Sequence, residues 1–495
     1  MTLRPDLAAC LAGFTSDPIP DGPIVSLVLD SRQILPGSVF LAVQGTHRHG
    51  LEYLDEARDG GAWAVVYEPG AGIGVPAGLP SVAVPELRRR VGEIAARFYG
   101  HPSDGMSIYA VTGTNGKTSV AWFLTQALDR LGERTGYLGT LGAGPLGAIE
   151  PSDRTTPDPI ALQSTLSDWR DRGFTAVSLE ASSHALDQGR LGGTRISVGL
   201  FSNLTHDHLD YHGDLAHYRA AKSKLFSDFS LDGAVFNVRD PSGRDFAREL
   251  VPGRPKIRVA LEPDPAWAVD LGIDRAVEYR PDGMRFVLRD RTHEVPVTTP
   301  LWGRFNLENL LLVAGALRYR GLDLAAIGSL LGQLNPPPGR FERFEAPGRP
   351  LVVVDYAHTP DALAQALETL RQAVRGELTV VFGCGGERDT QKRPVMGAIA
   401  ARQARRIILT DDNPRSEEPA QITDAIRVGI PDAAWVRIEH DRSRAIRLAL
   451  ETTDPMGAVL VAGKGHEITQ VVDGREMAYS DRTTVADLLR GRAHG

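Results

Sequence analysis

One short segment constrains this chain more than any other: Gly113-Thr114-Asn115-Gly116-Lys117-Thr118-Ser119. It follows the β-branched run Ser107–Thr112 and precedes Val120–Leu124, Leu128 and Leu131, which repeat at helical spacing. A strand that enters a helix through glycines brings backbone N–H groups and the positive helix end around an anion. Lys117 is placed to reach terminal phosphates, and Thr118 or Ser119 to offer a hydroxyl to Mg²⁺. The order implies a nucleoside-triphosphate site rather than a glycine turn with a solvated lysine. One departure stands out. The spacing G-x-x-x-x-G-K-[ST] asks for glycine at 111, where this chain has Val111.

A chain of 495 residues exceeds what one core organises, so several domains are expected. Charged residues make up 24% and hydrophobic residues 42%, the balance of a soluble globular protein. A net charge of −7 argues against nonspecific nucleic-acid binding. Cys10 and Cys384 have neither disulfide-framework nor zinc-ligand spacing. The first residues lack a signal-peptide core, and no apolar run reaches membrane-spanning length. A cytoplasmic protein with small-molecule partners, no nucleic acid and no membrane is expected, as a monomer.

Pattern divides the chain into three α/β parts. Residues 1–88 hold strand-like runs at 24–29, 38–43 and 62–67, with a short helix at 53–58 making a βαβ-like unit. Residues 89–338 hold the phosphate loop in a mainly parallel sheet, with buried strands at 176–179 and 198–201 leading into polar loops. Pro336-Pro337-Pro338-Gly339 reads as the clearest linker, and residues 339–495 repeat the α/β habit.

Behind the phosphate loop, Glu180 follows the strand 176–179 and could bind Mg²⁺ or merely cap a helix. The next strand runs into Asn203-Leu204-Thr205-His206-Asp207-His208-Leu209-Asp210-Tyr211-His212. So many histidines and aspartates also suit a zinc hydrolase, although the phosphate loop favours Mg²⁺. Lys222 and Lys224 read, on spacing alone, as surface lysines in salt bridges.

Taken in order, these motifs are familiar. Gly113–Thr118, Thr155-Thr156-Pro157, Glu180–His184, Asn203 with Asp207–Gly213, and Ala221-Lys222 resemble the Mur ligases of bacterial cell-wall synthesis. So do Gly303–Asn306 with Asn309, Gly339–Glu342, Asp355–Pro360 and Gly463–Glu467. The resemblance runs from Asp30-Ser31-Arg32 to Glu467, and is strongest to the branch that adds the third amino acid. Folylpolyglutamate synthases share the central logic, but would not be expected to carry Asp30-Ser31-Arg32 or Asp412-Asn413-Pro414-Arg415.

The resemblance implies three domains: an N-terminal α/β UDP-binding domain, a central P-loop-type ATPase domain, and a Rossmann-like C-terminal domain. It implies an ATP- and Mg²⁺-dependent amide ligase acting on a UDP-MurNAc-dipeptide through an acyl phosphate, in cytoplasmic peptidoglycan precursor synthesis. That role would serve cell-wall biogenesis, cell shape and division. By the same resemblance, Gly113, Thr114, Asn115, Gly116, Lys117, Thr118, Ser119, Asn306, Arg340 and Asp355 match ATP positions. Thr118, Glu180, His208 and Lys222 match metal-associated positions, Lys222 as a carbamylated lysine. Leu29, Ser31, Thr46, His47 and Arg48 match the uridine-nucleotide pocket, and Thr155, Thr156, Ser182, Gln188 and Arg190 the muramoyl-peptide contacts. Position 154 is Arg where some relatives have Asn.

Asp412-Asn413-Pro414-Arg415 resembles the motif of family members that add meso-diaminopimelate, with Arg388, Gly463 and Glu467 matching further contacts. Diaminopimelate has a second carboxylate that lysine lacks, and a guanidinium binds it bidentately. The alternatives are a turn at Asn413-Pro414 with Arg415 paired to Glu417 or Glu418, and lysine or ornithine as substrate. A P-loop switch ATPase remains a more distant reading.

Overall fold

The computed structural model describes residues 6–45, 48–70, 74, 76–249, 252–264, 266–274 and 276–491. They fall into two compact units, Met1–Val259 and Ala260–Gly495.

The first unit opens with a parallel sheet of β1 (Ser26–Val28), β2 (Ser38–Ala42), β3 (Ala64–Tyr67) and β4 (Ser81–Ala83), in that order. The helix Leu54–Asp59 connects β2 to β3, which realises the expected βαβ unit. Strand β4 is missing from the sequence expectation, because three residues are too few to show a period. Alternation splits the sheet's side chains between two faces. Leu27, Val39, Leu41 and Val66 meet Val91, Ile94 and Phe98 of the helix Leu87–Phe98, while Val28, Phe40 and Val65 pack with Ala57. That helix crosses residue 88 and packs its apolar face into this first core.

A second sheet of this unit contains β5 (Ser107–Thr112), β6 (Thr135–Gly139), β7 (Gly142–Gly144), β8 (Ala176–Glu180), β9 (Val198–Phe201), β10 (Gly233–Asn237) and β11 (Lys256–Leu261). Its order is β11-β10-β9-β5-β8-β6-β7, parallel except for β7. Nearly every residue of β5, β8 and β9 is buried, as parallel strands covered on both faces require. Their C-terminal ends deliver the phosphate loop, Glu180 and the histidine-rich loop to the same edge, where open α/β sheets bind ligands.

The second unit begins with short antiparallel strands, β12 (Leu271–Ile273), β13 (Glu278–Arg280), β14 (Gly283–Arg289) and β15 (Glu294–Thr299). After the helix Arg304–Tyr319 comes a second sheet of β16 (Glu342–Phe344), β17 (Leu351–Asp355), β18 (Leu378–Phe382), β19 (Arg406–Leu409), β20 (Trp435–Ile438) and β21 (Ala458–Ala462). The order is β16-β17-β21-β18-β19-β20, with only β16 antiparallel. An exposed hairpin, β22 (Thr469–Val472) and β23 (Arg475–Ala478), follows.

One polar pair is sealed inside this unit. Arg442 and Asp481 are both fully buried and joined bidentately at 2.7 and 2.8 Å, and Arg442 Nη2 also donates to the Ala462 carbonyl at 2.8 Å. Removing one member leaves the other buried without an opposite charge. Arg442→Met is expected to destabilise this unit by about 3–5 kcal/mol, read from its urea-unfolding midpoint. A loss below about 1 kcal/mol would show that the pair is dispensable.

Candidate active site

The phosphate loop departs from the standard spacing because β5 continues through it. Val111 is a buried strand residue, paired in register with Glu180 of β8. The turn therefore begins at Gly113, and the same pairing places Glu180 at its base. Gly113 has φ 149°, and a Cβ there would overlap the Ser202 hydroxyl, so only glycine fits. Gly116, at φ 87°, turns the chain into the helix Lys117–Arg130, whose first bond runs from Val120 N–H to the Gly116 carbonyl. The helix N-terminus thus faces the loop with its partial positive charge.

The loop is fastened by the end of β9. Thr114 N–H donates to the Asn203 carbonyl at 2.8 Å, and Asn115 N–H to Asn203 Oδ1 at 2.9 Å. Ser202 Oγ donates to the Asn115 carbonyl at 2.6 Å, and Thr205 N–H to Thr114 Oγ1 at 2.9 Å. The N–H groups of Thr114 and Asn115 are thus directed at Asn203. The helix end and Lys117 are the groups of this loop that could meet an anion.

Two lysines converge on one carbonyl oxygen. Lys117 Nζ donates to Gly113 O at 3.0 Å and Thr114 O at 2.9 Å, while Lys222 Nζ donates to Gly113 O at 2.7 Å. Lys222 is 1% exposed and lies 4.2 Å from the centre of the Tyr218 ring. Burial first, and then the charge of Lys117, pushes the Lys222 amine well below its ordinary value, so it favours the neutral form. The surface-lysine expectation is therefore corrected for Lys222 and met by Lys224, which pairs with Asp187 at 2.7 Å. A helical stripe would have separated them. Tyr218, Ala221, Lys222 and Leu225 follow i, i+3, i+4, i+7, so Lys222 sits among core-facing residues.

Glu180 ends β8 and is fully buried. Its Oε1 accepts from Tyr137 Oη at 2.6 Å and Thr140 N–H at 2.9 Å, and its Oε2 from Thr118 and Thr140 hydroxyls at 3.1 Å each. This is a held carboxylate, not a surface cap. His208 adopts φ 54° before the short helix Leu209–His212, with its ring 5.0 Å from that of His184 and 6.1 Å from that of Tyr218. Desolvation holds its imidazole down to about 4, so it is neutral at pH 7. His212 instead engages Ser183 Oγ at 3.0 Å. Among the described residues no three His, Cys, Asp or Glu side chains converge as metal ligands. Tyr137, Thr140 and Tyr218 are not assigned from sequence, and Asn203 appears there only as a motif residue, since only the folded register reveals their partners.

Alongside Glu180 lie the positions expected to meet a muramoyl-peptide. Thr156 Oγ1 donates to the Glu180 carbonyl at 2.6 Å and lies 3.1 Å from Ser182 Oγ, and Thr155 Oγ1 lies 3.2 Å from Thr140 Oγ1. Arg190 donates to the Thr156 carbonyl at 2.9 Å and twice to Gln188 Oε1, both neutral acceptors. Nearby, a cleft of about 1080 Å³ is lined by Leu29, Ser31, Arg48 and Tyr53 from the connections of the first sheet, and by Arg154 and Pro157. Thr46 and His47 lie outside the described residues. Ser31 Oγ donates to Glu56 at 2.6 Å.

In the second unit, Asn306 is buried and donates to the Trp302 carbonyl at 2.8 Å. The Arg340 guanidinium lies 4.3 Å from the centre of the Tyr356 ring. Asp355 accepts from Phe341 N–H at 2.9 Å, and burial pushes its carboxyl up to about 6 against the pull of Arg340.

The segment 412–415 gathers its own set. Asn413 Oδ1 accepts from Lys464 Nζ and from Val471 N–H, both at 3.0 Å, while Asn413 Nδ2 donates to Glu467 Oε2 at 3.0 Å. Lys464, fully buried, completes the triangle with Glu467 at 2.7 Å. Gly463, at φ 116°, leaves room for the Asp412 carboxylate where a Cβ would stand. Arg415 has φ 57°, and its guanidinium donates to the Gly386 carbonyl at 2.6 Å. The alternative pairing with Glu417 is not made. Glu417 is held bidentately by Arg393 at 2.6 and 2.7 Å. Arg388, on the loop that contains Gly385 and Gly386, is exposed.

Family models described as "Mur ligase family, catalytic domain", "Mur ligase middle domain" and "Mur ligase, glutamate ligase domain" match residues 23–99, 111–317 and 339–465. A UDP-N-acetylmuramoyl-L-alanyl-D-glutamate–2,6-diaminopimelate ligase of Alkalilimnicola ehrlichii is 46% identical over 478 residues, covering 95% of each chain. One of the same name from Pseudomonas aeruginosa is 45% identical, covering 92% of this chain and 93% of its own. A solved structure of such a ligase superposes with a TM-score of 0.72 at 34% identity, covering 99% of this chain and all of the other. Mycobacterium tuberculosis folylpolyglutamate synthase complexed with ADP and AMPPCP shares the fold, with a TM-score of 0.62 at 19% identity over 81% of this chain and 94% of its own. On the extent of these matches, this chain belongs to the Mur ligase family.

Proposed function

We propose that this chain is an ATP-dependent ligase that joins 2,6-diaminopimelate to UDP-N-acetylmuramoyl-L-alanyl-D-glutamate, in peptidoglycan precursor synthesis. The likeness to ligases of that name over 95% of the chain supports the reaction. The single observation that carries the chemistry is the meeting of Lys117 and Lys222 at Gly113 beside the buried Glu180, with Lys117 and the helix end as the positive charge and Lys222 as the buried amine. A carboxylate and a triphosphate repel each other, so bringing them together demands fixed positive charge.

In this reading a carboxylate oxygen of D-glutamate attacks the γ-phosphorus of ATP, and the bond to the bridging oxygen breaks, releasing ADP. The neutral amine of the incoming amino acid then attacks the acyl carbon. The tetrahedral adduct loses its extra proton and expels phosphate, which carries one oxygen of the original carboxylate. Lys117 and the helix end at Gly116 hold the phosphates in line for the first step. Thr156, Ser182, Gln188 and Arg190 orient the peptide, and the cleft around Leu29, Ser31 and Arg48 receives the uridine nucleotide.

The donor set fits Mg²⁺, which takes few protein oxygens along with phosphate and water. Thr118 Oγ1 and Glu180 Oε2 already lie 3.1 Å apart, and these two residues would hold it with His208 near. Bound there, the ion neutralises charge on the transferring phosphoryl group. Lys222 adds a further element. Its burial favours a free amine, the form that attacks CO₂; the new N–C bond and loss of one proton give a carbamate. That group places a carboxylate near the metal in place of a cation. The three-domain plan of 1–88, 89–338 and 339–495, a cytoplasmic location and a monomeric state complete the proposal.

Arg415 and Arg388 supply cations for the second carboxylate of diaminopimelate, and Glu467 an anion for its distal ammonium. Steady-state assays with diaminopimelate, lysine and ornithine are expected to show a clear preference for the first. Arg415→Ala should raise the KM for diaminopimelate about 10- to 100-fold, as loss of a charged hydrogen bond implies, and leave that for ATP unchanged. Equal effects on both substrates would contradict second-carboxylate recognition.

Lys117→Ala should lower kcat by at least about 10²–10³-fold, in the range for loss of one charge-stabilising donor. Near-normal ligation by that variant would remove the phosphate role. Lys222→Ala should be similarly impaired and partly restored by added formate or acetate if a carbamate operates. An unimpaired Lys222→Ala would refute it.

A further inference from the structure

Arg415 stands in the left-handed region at φ 57°, a conformation that a long side chain adopts only when its neighbours hold it there. Those neighbours belong to the hairpin β22–β23. Arg415 N–H donates to the Val471 carbonyl at 3.1 Å, and the Arg415 carbonyl accepts from Asp473 N–H at 2.7 Å. The two chains thus form a parallel bridge between Arg415 and Val472. Upstream, Gln470 Nε2 donates to the Asp412 carbonyl at 2.8 Å, and Val471 N–H to Asn413 Oδ1 at 3.0 Å. Asp412, Asn413 and Arg415 are thus each bonded to the hairpin, and Pro414 gives it no N–H bond. It carries no N–H to give.

The hairpin packs little of its own surface. All four residues of β23 are exposed, and those of β22 are half-buried. Its own turn is formed by Asp473 and Gly474, at φ 49° and 70°, the two successive left-handed residues of a tight type I′ hairpin. It is therefore a self-contained ribbon whose inward edge is occupied by the segment 412–415. We infer that this hairpin is a positioning element for the Arg415 guanidinium, and that Gln470 is a specificity-supporting residue acting through it. The inference rests on the reading that Arg415 meets the second carboxylate of the amino-acid substrate. With the hairpin in place, the guanidinium is presented from beside Gly385 and Gly386 in one orientation, before substrate arrives. Without the clamp, Arg415 relaxes toward the ordinary right-handed region and its side chain swings away.

Two single substitutions test this in the full-length enzyme. Gln470→Ala removes the side-chain bond to Asp412. Val471→Pro removes only an N–H that points out of the hairpin toward Asn413, so the ribbon itself persists. Each is expected to raise the KM for diaminopimelate about 5- to 30-fold, as loss of one or two hydrogen bonds implies, with the KM values for ATP and the UDP-dipeptide within twofold of wild type. Each should also narrow the diaminopimelate-to-lysine preference, because lysine has no second carboxylate to lose. A purely structural role would instead lower the melting temperature and affect all three substrates alike, and that result overturns the inference. So does a diaminopimelate KM within twofold of wild type in both variants. A wild-type enzyme that does not prefer diaminopimelate would instead refute the substrate reading itself.

Discussion

Two ammonium groups cannot share one carbonyl oxygen without consequence, and that constraint organises the phosphate-loop side of the site. Lys117 and Lys222 both donate to Gly113 O, at 3.0 and 2.7 Å, from two different helices. Lys117 leads out of the loop at the start of its helix and is partly open to solvent. Lys222, sealed against Tyr218, is the one driven toward the neutral amine. The same carbonyl thus joins one lysine that meets solvent and one that is sealed from it.

The parallel sheet makes that encounter possible. Strand β5 extends through Val111 to Thr112, its register sets Glu180 at the foot of the loop, and β9 ends at the Ser202-Asn203 pair that fastens Thr114 and Asn115. Three strand ends and two helices place two lysines and a carboxylate in one neighbourhood. The buried hydrogen-bond set around Glu180 then fixes its carboxylate, since an unsatisfied charge there would cost several kcal/mol. In the second unit a comparable logic applies on a smaller scale, with buried Lys464 tying Asn413 to Glu467 and the hairpin tying Arg415 into place.

Much of this was legible in the residues themselves, and the limits have physical causes. The β-branched run, the glycines and the helical stripe announced the loop, but not why Val111 replaces a glycine; that needed the length of β5. Motif order supplied the family resemblance, yet spacing left Lys222 and Lys224 equivalent, although only Lys222 belongs to the stripe of Tyr218, Ala221 and Leu225. Arg415 was visible as a cation near an Asn-Pro turn. What no local pattern encodes is that Arg393 claims Glu417, leaving Arg415 to the Gly386 carbonyl, or that an exposed hairpin more than fifty residues later holds its backbone. Strands β4 and β12 were too short to carry a period.

Phosphorylation of the D-glutamate carboxylate is the step on which the proposed chemistry depends, and oxygen transfer reports it directly. UDP-N-acetylmuramoyl-L-alanyl-D-glutamate labelled with ¹⁸O in that carboxylate would be turned over with ATP and diaminopimelate, and the released phosphate analysed by mass spectrometry. An acyl-phosphate route leaves one labelled oxygen in each phosphate formed with product. Unlabelled phosphate released in step with amide formation would show that water, not the carboxylate, attacks ATP, and the assigned chemistry of the Gly113–Ser119 loop would have to be abandoned.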